Sequence, residues 1–123
     1  MKKSFGVITA TTIATLLVPT IAIAQAIPQT LKQGMPYAQA RKTLLNSGWQ
    51  AVALSPNRDR FGAMNYLIKL GYSEVETCSG TGMGFCRFNF TNANGQKLAV
   101  VTVNNQPGQK PKLQRWWIDT ENR

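Results

Sequence analysis

Cys86-Arg87-Phe88-Asn89-Phe90-Thr91, the turn Asn92-Ala93-Asn94-Gly95, and Lys97-Leu98-Ala99-Val100-Val101-Thr102-Val103 form a continuous strand–turn–strand pattern. From Cys86 the apolar period is two, so Cys86, Phe88 and Phe90 fall on one side and Arg87, Asn89 and Thr91 on the other, the mark of a half-buried strand. The Asn94-Gly95 pair supplies residues that tolerate positive φ, which a hairpin turn requires. Lys97 to Val103 is rich in β-branched residues and continues as the returning strand. After the polar, Pro- and Gly-bearing loop from Asn104 to Lys112, Leu113 to Ile118 reads as a third strand.

Upstream the period changes to that of a helix. Tyr37, Ala40, Leu44 and Leu45 recur at three- and four-residue spacing, with Pro36 suited to the first turn and Gly48 to the stop. Trp49 to Leu54 is a short apolar run bounded by Gly48 and by the turn-like Ser55-Pro56-Asn57, and reads as a brief strand. Asp59 is placed to cap a second helix over Arg60 to Leu70, with Phe61, Met64, Leu67 and Ile68 inward and Gly71 beyond its end. Gly62 weakens that helix. Residues 27–34 form a lead-in whose Leu31 is placed to enter the core. The expected fold is therefore α+β, a small two-layer sandwich of two helices on an antiparallel sheet of about four strands.

The front of the chain has a different character. Met1-Lys2-Lys3, an uncharged apolar run from Phe5 to Ala24 and the small-x-small site Ala24-Gln25-Ala26 have the layout of a bacterial secretory signal peptide. A permanent anchor is the alternative, since the run approaches the roughly 20 residues that span a bilayer. Against it, Gly6, Thr9, Thr11, Thr12, Thr15, Pro19 and Thr20 dilute the run and no basic stop-transfer cluster follows. The expectation is a signal peptide over residues 1–26, one domain over residues 27–123, a periplasmic or secreted location, and no membrane span after cleavage.

The whole chain carries a formal net charge of +9. Without Lys2 and Lys3, twelve basic side chains face Asp59, Glu74, Glu76, Asp119 and Glu121, a net +7. Such a balance favours anionic partners, lipid headgroups or acidic glycans among them, or serves solubility alone. Cys78 and Cys86 are the only cysteines, and in an exported chain they most simply form one disulfide. A two-thiol metal site is the alternative, but the chain has no histidine to complete a zinc set. The same absence removes Ser-His-Asp and Cys-His catalysis, and neither a cofactor nor a metal is expected. Glu74 and Glu76 would share a face if extended, the arrangement of a cation site or a glycosidase-like pair; the plainer reading is a solvated strand edge.

The loop Cys78-Ser79-Gly80-Thr81-Gly82-Met83-Gly84-Phe85-Cys86 has glycines at alternate positions, without the strand–helix context or spacing of a nucleotide fingerprint. It reads either as a tight cross-linked ring or as a rigid recognition loop presenting Met83 and Phe85. Trp116-Trp117 places one indole on each side of a strand. With Lys110, Lys112 and Arg115 nearby, the outward indole suits an aromatic-plus-cation ligand platform, or it covers the sheet edge. No specific nucleic-acid site is expected.

Gly34-Met35-Pro36-Tyr37 with Ala40-Arg41, Leu44-Leu45-Asn46-Ser47-Gly48-Trp49, Cys78-Ser79-Gly80-Thr81-Gly82 and Cys86-Arg87-Phe88 together resemble a family of small, uncharacterised exported bacterial proteins. That resemblance covers most of residues 27–123 and implies no activity. Gly34-Met35 and the element order also resemble the beta-lactamase-inhibitor-like domains, including SmpA/OmlA-type outer-membrane assembly lipoproteins. The expected strand between the helices and the lack of a lipid-acceptor cysteine depart from that pattern. The expectation is a non-catalytic envelope binding module, engaging a protein partner through the ring and the exposed sheet face. The alternative is a structural envelope protein held to anionic lipid or glycan by charge.

Overall fold

The computed structural model describes Gly6, residues 11–15, 26–54, 62–80 and 82–121. Most of the expected signal peptide, and Ser55 to Phe61 with the expected Asp59 cap, lie outside the described residues. No helix among the described residues is long and apolar enough to cross a membrane.

Seven elements follow in the order α1 (Tyr37–Asn46), β1 (Gln50–Ala51), α2 (Ala63–Lys69), β2 (Val75–Cys78), β3 (Cys86–Thr91), β4 (Lys97–Val103) and β5 (Lys112–Asp119). The α+β expectation holds, with five antiparallel strands in place of about four. The added strand is β2, which pairs with β3 through Val75↔Phe88, Thr77↔Arg87 and Cys78↔Cys86. It also explains why β1 is shorter than the expected Trp49 to Leu54. Both strands use the same edge of β3, and β2 occupies the Cys86 to Phe88 part, leaving β1 only Phe90 and Thr91.

Both helices close in the same way. After α1, Trp49 N–H donates to Leu44 C=O and Gly48 N–H to Leu45 C=O; after α2, Tyr72 N–H donates to Leu67 C=O and Gly71 N–H to Ile68 C=O. These paired bonds satisfy carbonyls left over by the last turn and need a left-handed residue, supplied by Gly48 (φ 90°) and Gly71 (φ 95°). Each closure delivers an aromatic toward the core. Gly62 stands at the N-terminal cap of α2 at φ 51°, a conformation no helix interior allows, so α2 starts at Ala63; the expected start at Arg60 lies outside the described residues.

Tyr37, Ala40 and Leu44 of α1 and Ala63, Met64 and Leu67 of α2 meet Phe88, Phe90, Leu98, Val100 and Leu113 from the inner face of the sheet in one core. Leu31 joins it as expected, whereas Leu45, beside the buried stripe of α1, is exposed. At the β3–β4 connection, the Asn92 carboxamide oxygen accepts from the backbone N–H of Asn94 and of Gln96, both at 3.0 Å. Gly95 alone takes positive φ there (77°), so the turn is longer than an Asn-Gly hairpin.

Candidate functional site

Two arginine-centred clusters flank the sheet, one beneath the helices and one on the outer face. Beneath α1, Glu74 is fully buried and accepts from the Tyr37 hydroxyl at 2.8 Å and from Arg41 Nε at 2.5 Å. Arg41 also lies over the Tyr72 ring, and Tyr37 packs against Phe88 with centroids 4.1 Å apart. Burial first, and then the charge and hydrogen bond of Glu74, push the Tyr37 phenol well above its ordinary 10.0. The expectation of a solvated Glu74–Glu76 edge is corrected here. Glu74 is interior because Arg41 and Tyr37 supply its donors, while Glu76 joins Arg87 on the opposite side, so the two carboxylates share no site.

The outer face is set by strand register. Arg87 and Arg115 both pair across from Val101, on either side of β4, and Trp117 pairs across from Ala99. Although they point away from the helices, Ala99 and Val101 are 0% and 6% exposed. The indole and the two guanidinium-bearing side chains close over them. Arg87 Cζ lies 5.6 Å and Arg115 Cζ 5.1 Å from the Trp117 ring centroid. Arg87 is further tied to Glu76 (Nε–Oε2 3.0 Å), to Asp119 (Nη2–Oδ2 2.5 Å) and to Asn89 Oδ1 (3.2 Å). No ion pair of Arg115 occurs among the described residues.

Beside this ladder lies an open hollow of about 370 Å³, between the end of β2, the start of β3 and the middle of β5. Val101 and the Cys78–Cys86 disulfide line it together with Phe85, Trp117, Arg115, Arg87, Thr77 and Ser79. The disulfide joins residues directly opposite in the β2–β3 ladder, as the sequence predicts from its two cysteines. Asn105, 2% exposed, fastens the ring from the other side. Its amide donates to Gly84 C=O at 2.9 Å and to Thr102 C=O at 3.0 Å, and its oxygen accepts from the Thr102 hydroxyl at 2.6 Å.

The structure thus brings together Phe85, Arg115 and Trp117 from the expected set. Trp116 points to the inner face across from Val100 and packs at the core margin, so the outward indole is Trp117; it is half-buried and roofs Ala99. Met83 is exposed but lines a different hollow, with Gln106 and Gln109. Lys110 is exposed on the β4–β5 loop and Lys112 at the start of β5, neither lining the Arg115 hollow. Arg87 was not singled out from the sequence. Its only signal there is the outward position in β3, since its carboxylate partners come from β2 and from the end of β5.

No group of three or more His, Cys, Asp or Glu side chains among the described residues is placed to hold a metal ion. No family model, curated protein or solved structure matches this chain.

Proposed function

We propose that the chain is an exported, non-catalytic binding module of the bacterial cell envelope, recognising its ligand on the outer sheet face around Phe85, Arg115 and Trp117. The observation that carries this reading is the hollow with two aromatic rings in its wall and, at its rim, the Arg115 guanidinium, which has no ion pair among the described residues. The signal-peptide pattern and the disulfide support export, and the lack of histidine supports a binding role over a catalytic one. Pre-fixed walls favour recognition, because little freedom is left to lose on binding. Here the disulfide, the Asn105 tether and the Arg87 clamp all fix the walls.

The second reading is a structural protein associating with anionic lipid or glycan by charge alone. It is favoured by the net +7 of residues 27–123 and by the exposed Lys110, Lys112 and Arg115. Immobilised residues 27–123 should retain one defined component of an envelope extract through a wash of about 1 M salt, where the screening length falls to ~3 Å. Arg115→Ala and Phe85→Ala should each abolish that retention with the thermal midpoint unchanged. Retention that vanishes in salt and ignores both substitutions would instead establish the charge-driven reading.

A further inference from the structure

We infer that the outer-face hollow takes an acidic saccharide: a sugar ring whose apolar face lies against Phe85 and Trp117 and whose carboxylate pairs with Arg115. The inference rests on the binding-module reading and names its ligand class. It starts from the three carboxylates that the two arginine clusters hold. Glu74 is consumed by Arg41 and Tyr37 in the interior, and Glu76 and Asp119 are both held by Arg87. Arg87 therefore enters the hollow with its charge more than offset by these two carboxylates, as a fixed support for the indole and not as a free cation. Arg115 stacks on the same ring without an ion pair among the described residues. Its planar fork of donors matches a carboxylate in two parallel hydrogen bonds.

The remaining walls fit the rest of such a ligand. Among the described residues no carboxylate lines the hollow; Glu76 and Asp119 reach its edge only behind Arg87, so the ligand carboxylate is placed at Arg115. The floor and sides are apolar where Val101, the disulfide, Phe85 and Trp117 contribute, and polar at the exposed Thr77, whose hydroxyl suits a sugar hydroxyl. At about 370 Å³ and open to solvent, the hollow lies at the small end of the roughly 300–1,000 Å³ of small-ligand sites. It is sized for a monosaccharide unit entering from a longer chain more than for a folded protein surface. An aromatic ring beside a cation also meets both faces of a uronic-acid residue, which is apolar across its C–H side and charged at one edge.

The test is calorimetric titration of residues 27–123 with an oligogalacturonate, with its methyl ester, and with phosphatidylglycerol vesicles. The expected result is saturable binding of the acid, with the ester weaker by at least about tenfold, the effect of one charge-assisted pair. Arg115→Ala should bring the acid down to the level of the ester, and Arg115→Lys should fall between, since it keeps the charge and loses the fork. Phe85→Ala should weaken acid and ester alike. The paired substitution Lys110→Ala with Lys112→Ala removes more charge than Arg115→Ala from outside the hollow, and should leave affinity within about twofold. Circular dichroism melts verify that each variant is folded.

Equal losses for Arg115→Ala and the lysine pair would overturn the inference in favour of diffuse attraction. Vesicle binding with none to the oligosaccharide would overturn it in favour of a lipid surface. If the oligogalacturonate does not bind while envelope retention still requires Arg115, the ligand class is wrong and the binding module stands. If neither depends on Arg115, both readings fall.

Discussion

Replacing Glu74 tests whether the buried cluster beneath α1 is built as described. In Glu74→Leu the Tyr37 hydroxyl, on a residue that is itself fully buried, loses its acceptor, at about 1–3 kcal/mol. Arg41 loses its carboxylate as well. Breaking a fully buried pair costs about 3–5 kcal/mol, but the Arg41 side chain is 28% exposed and can turn its guanidinium to water, so only a part applies. Together these give about 3 kcal/mol, a large share of the roughly 5–15 kcal/mol that holds a small domain together. Glu74→Gln keeps the shape and one acceptor oxygen and should cost about half as much. The triple replacement Tyr37→Phe, Arg41→Leu and Glu74→Leu, which leaves no polar group orphaned, should recover most of the loss. Urea unfolding followed by the fluorescence of buried Trp49 measures each difference, and an unchanged slope against urea verifies that the same surface unfolds. A Glu74→Leu variant within about 0.5 kcal/mol of the parent would refute the reasoning, because a carboxylate with these two donors cannot be removed at no cost. So would Gln and Leu variants of equal stability, which would mean that the Tyr37 bond contributes nothing.

The same cluster predicts a pH dependence. The Tyr37 phenol is raised above its ordinary 10.0, so the native state holds that proton more firmly than the unfolded chain; the associated stability is intact below pH 10 and is lost as pH rises above it toward the native value. Tyr37→Phe should remove that alkaline loss from the urea midpoint, and a variant that still shows it in full would contradict the assignment. Replacing Cys78 and Cys86 together by Ser should lower stability by about 2.5 kcal/mol, the chain-entropy value for a loop of sequence separation 8. Non-reducing peptide mapping of the parent should recover the linked pair. Intact-mass analysis of the exported product should begin at Ile27, and full-length chain in the membrane fraction would contradict cleavage after Ala26.

The β3–β4–β5 meander was legible because its alternation is strict and its connections are local, and α1 because Pro36 and Gly48 bracket a clean helical stripe. β2 was not. Val75-Glu76-Thr77-Cys78 carries a carboxylate beside Glu74, and two close carboxylates read as solvent-exposed. Only Arg41 and Tyr37, on a helix far back in the chain, make Glu74 an interior residue. The site was half legible for the same reason. An exposed aromatic beside basic residues marked Trp117 and Arg115, whereas the role of Arg87 depends on Glu76 and Asp119 arriving from strands distant in sequence. The alternation that placed Arg87 outward also pointed Ala99 and Val101 outward, but only the structure shows that they are roofed.

The shared edge of β3 also fixes an order of assembly. β1 and β2 pair with β3 alone, so every strand made before residue 79 waits for one made after it. As the chain emerges from the ribosome, or threads N-terminus first through a pore, α1 and α2 hold Tyr37, Leu44 and Leu67 with no sheet to cover them until Phe88 and Phe90 appear. The meander from Cys86 to Asp119 closes through neighbouring contacts and can form quickly by itself. The first half of the molecule is thus completed by the second, and a nascent chain stalled before Cys86 has nothing to pair β1 and β2 or to cover its helices.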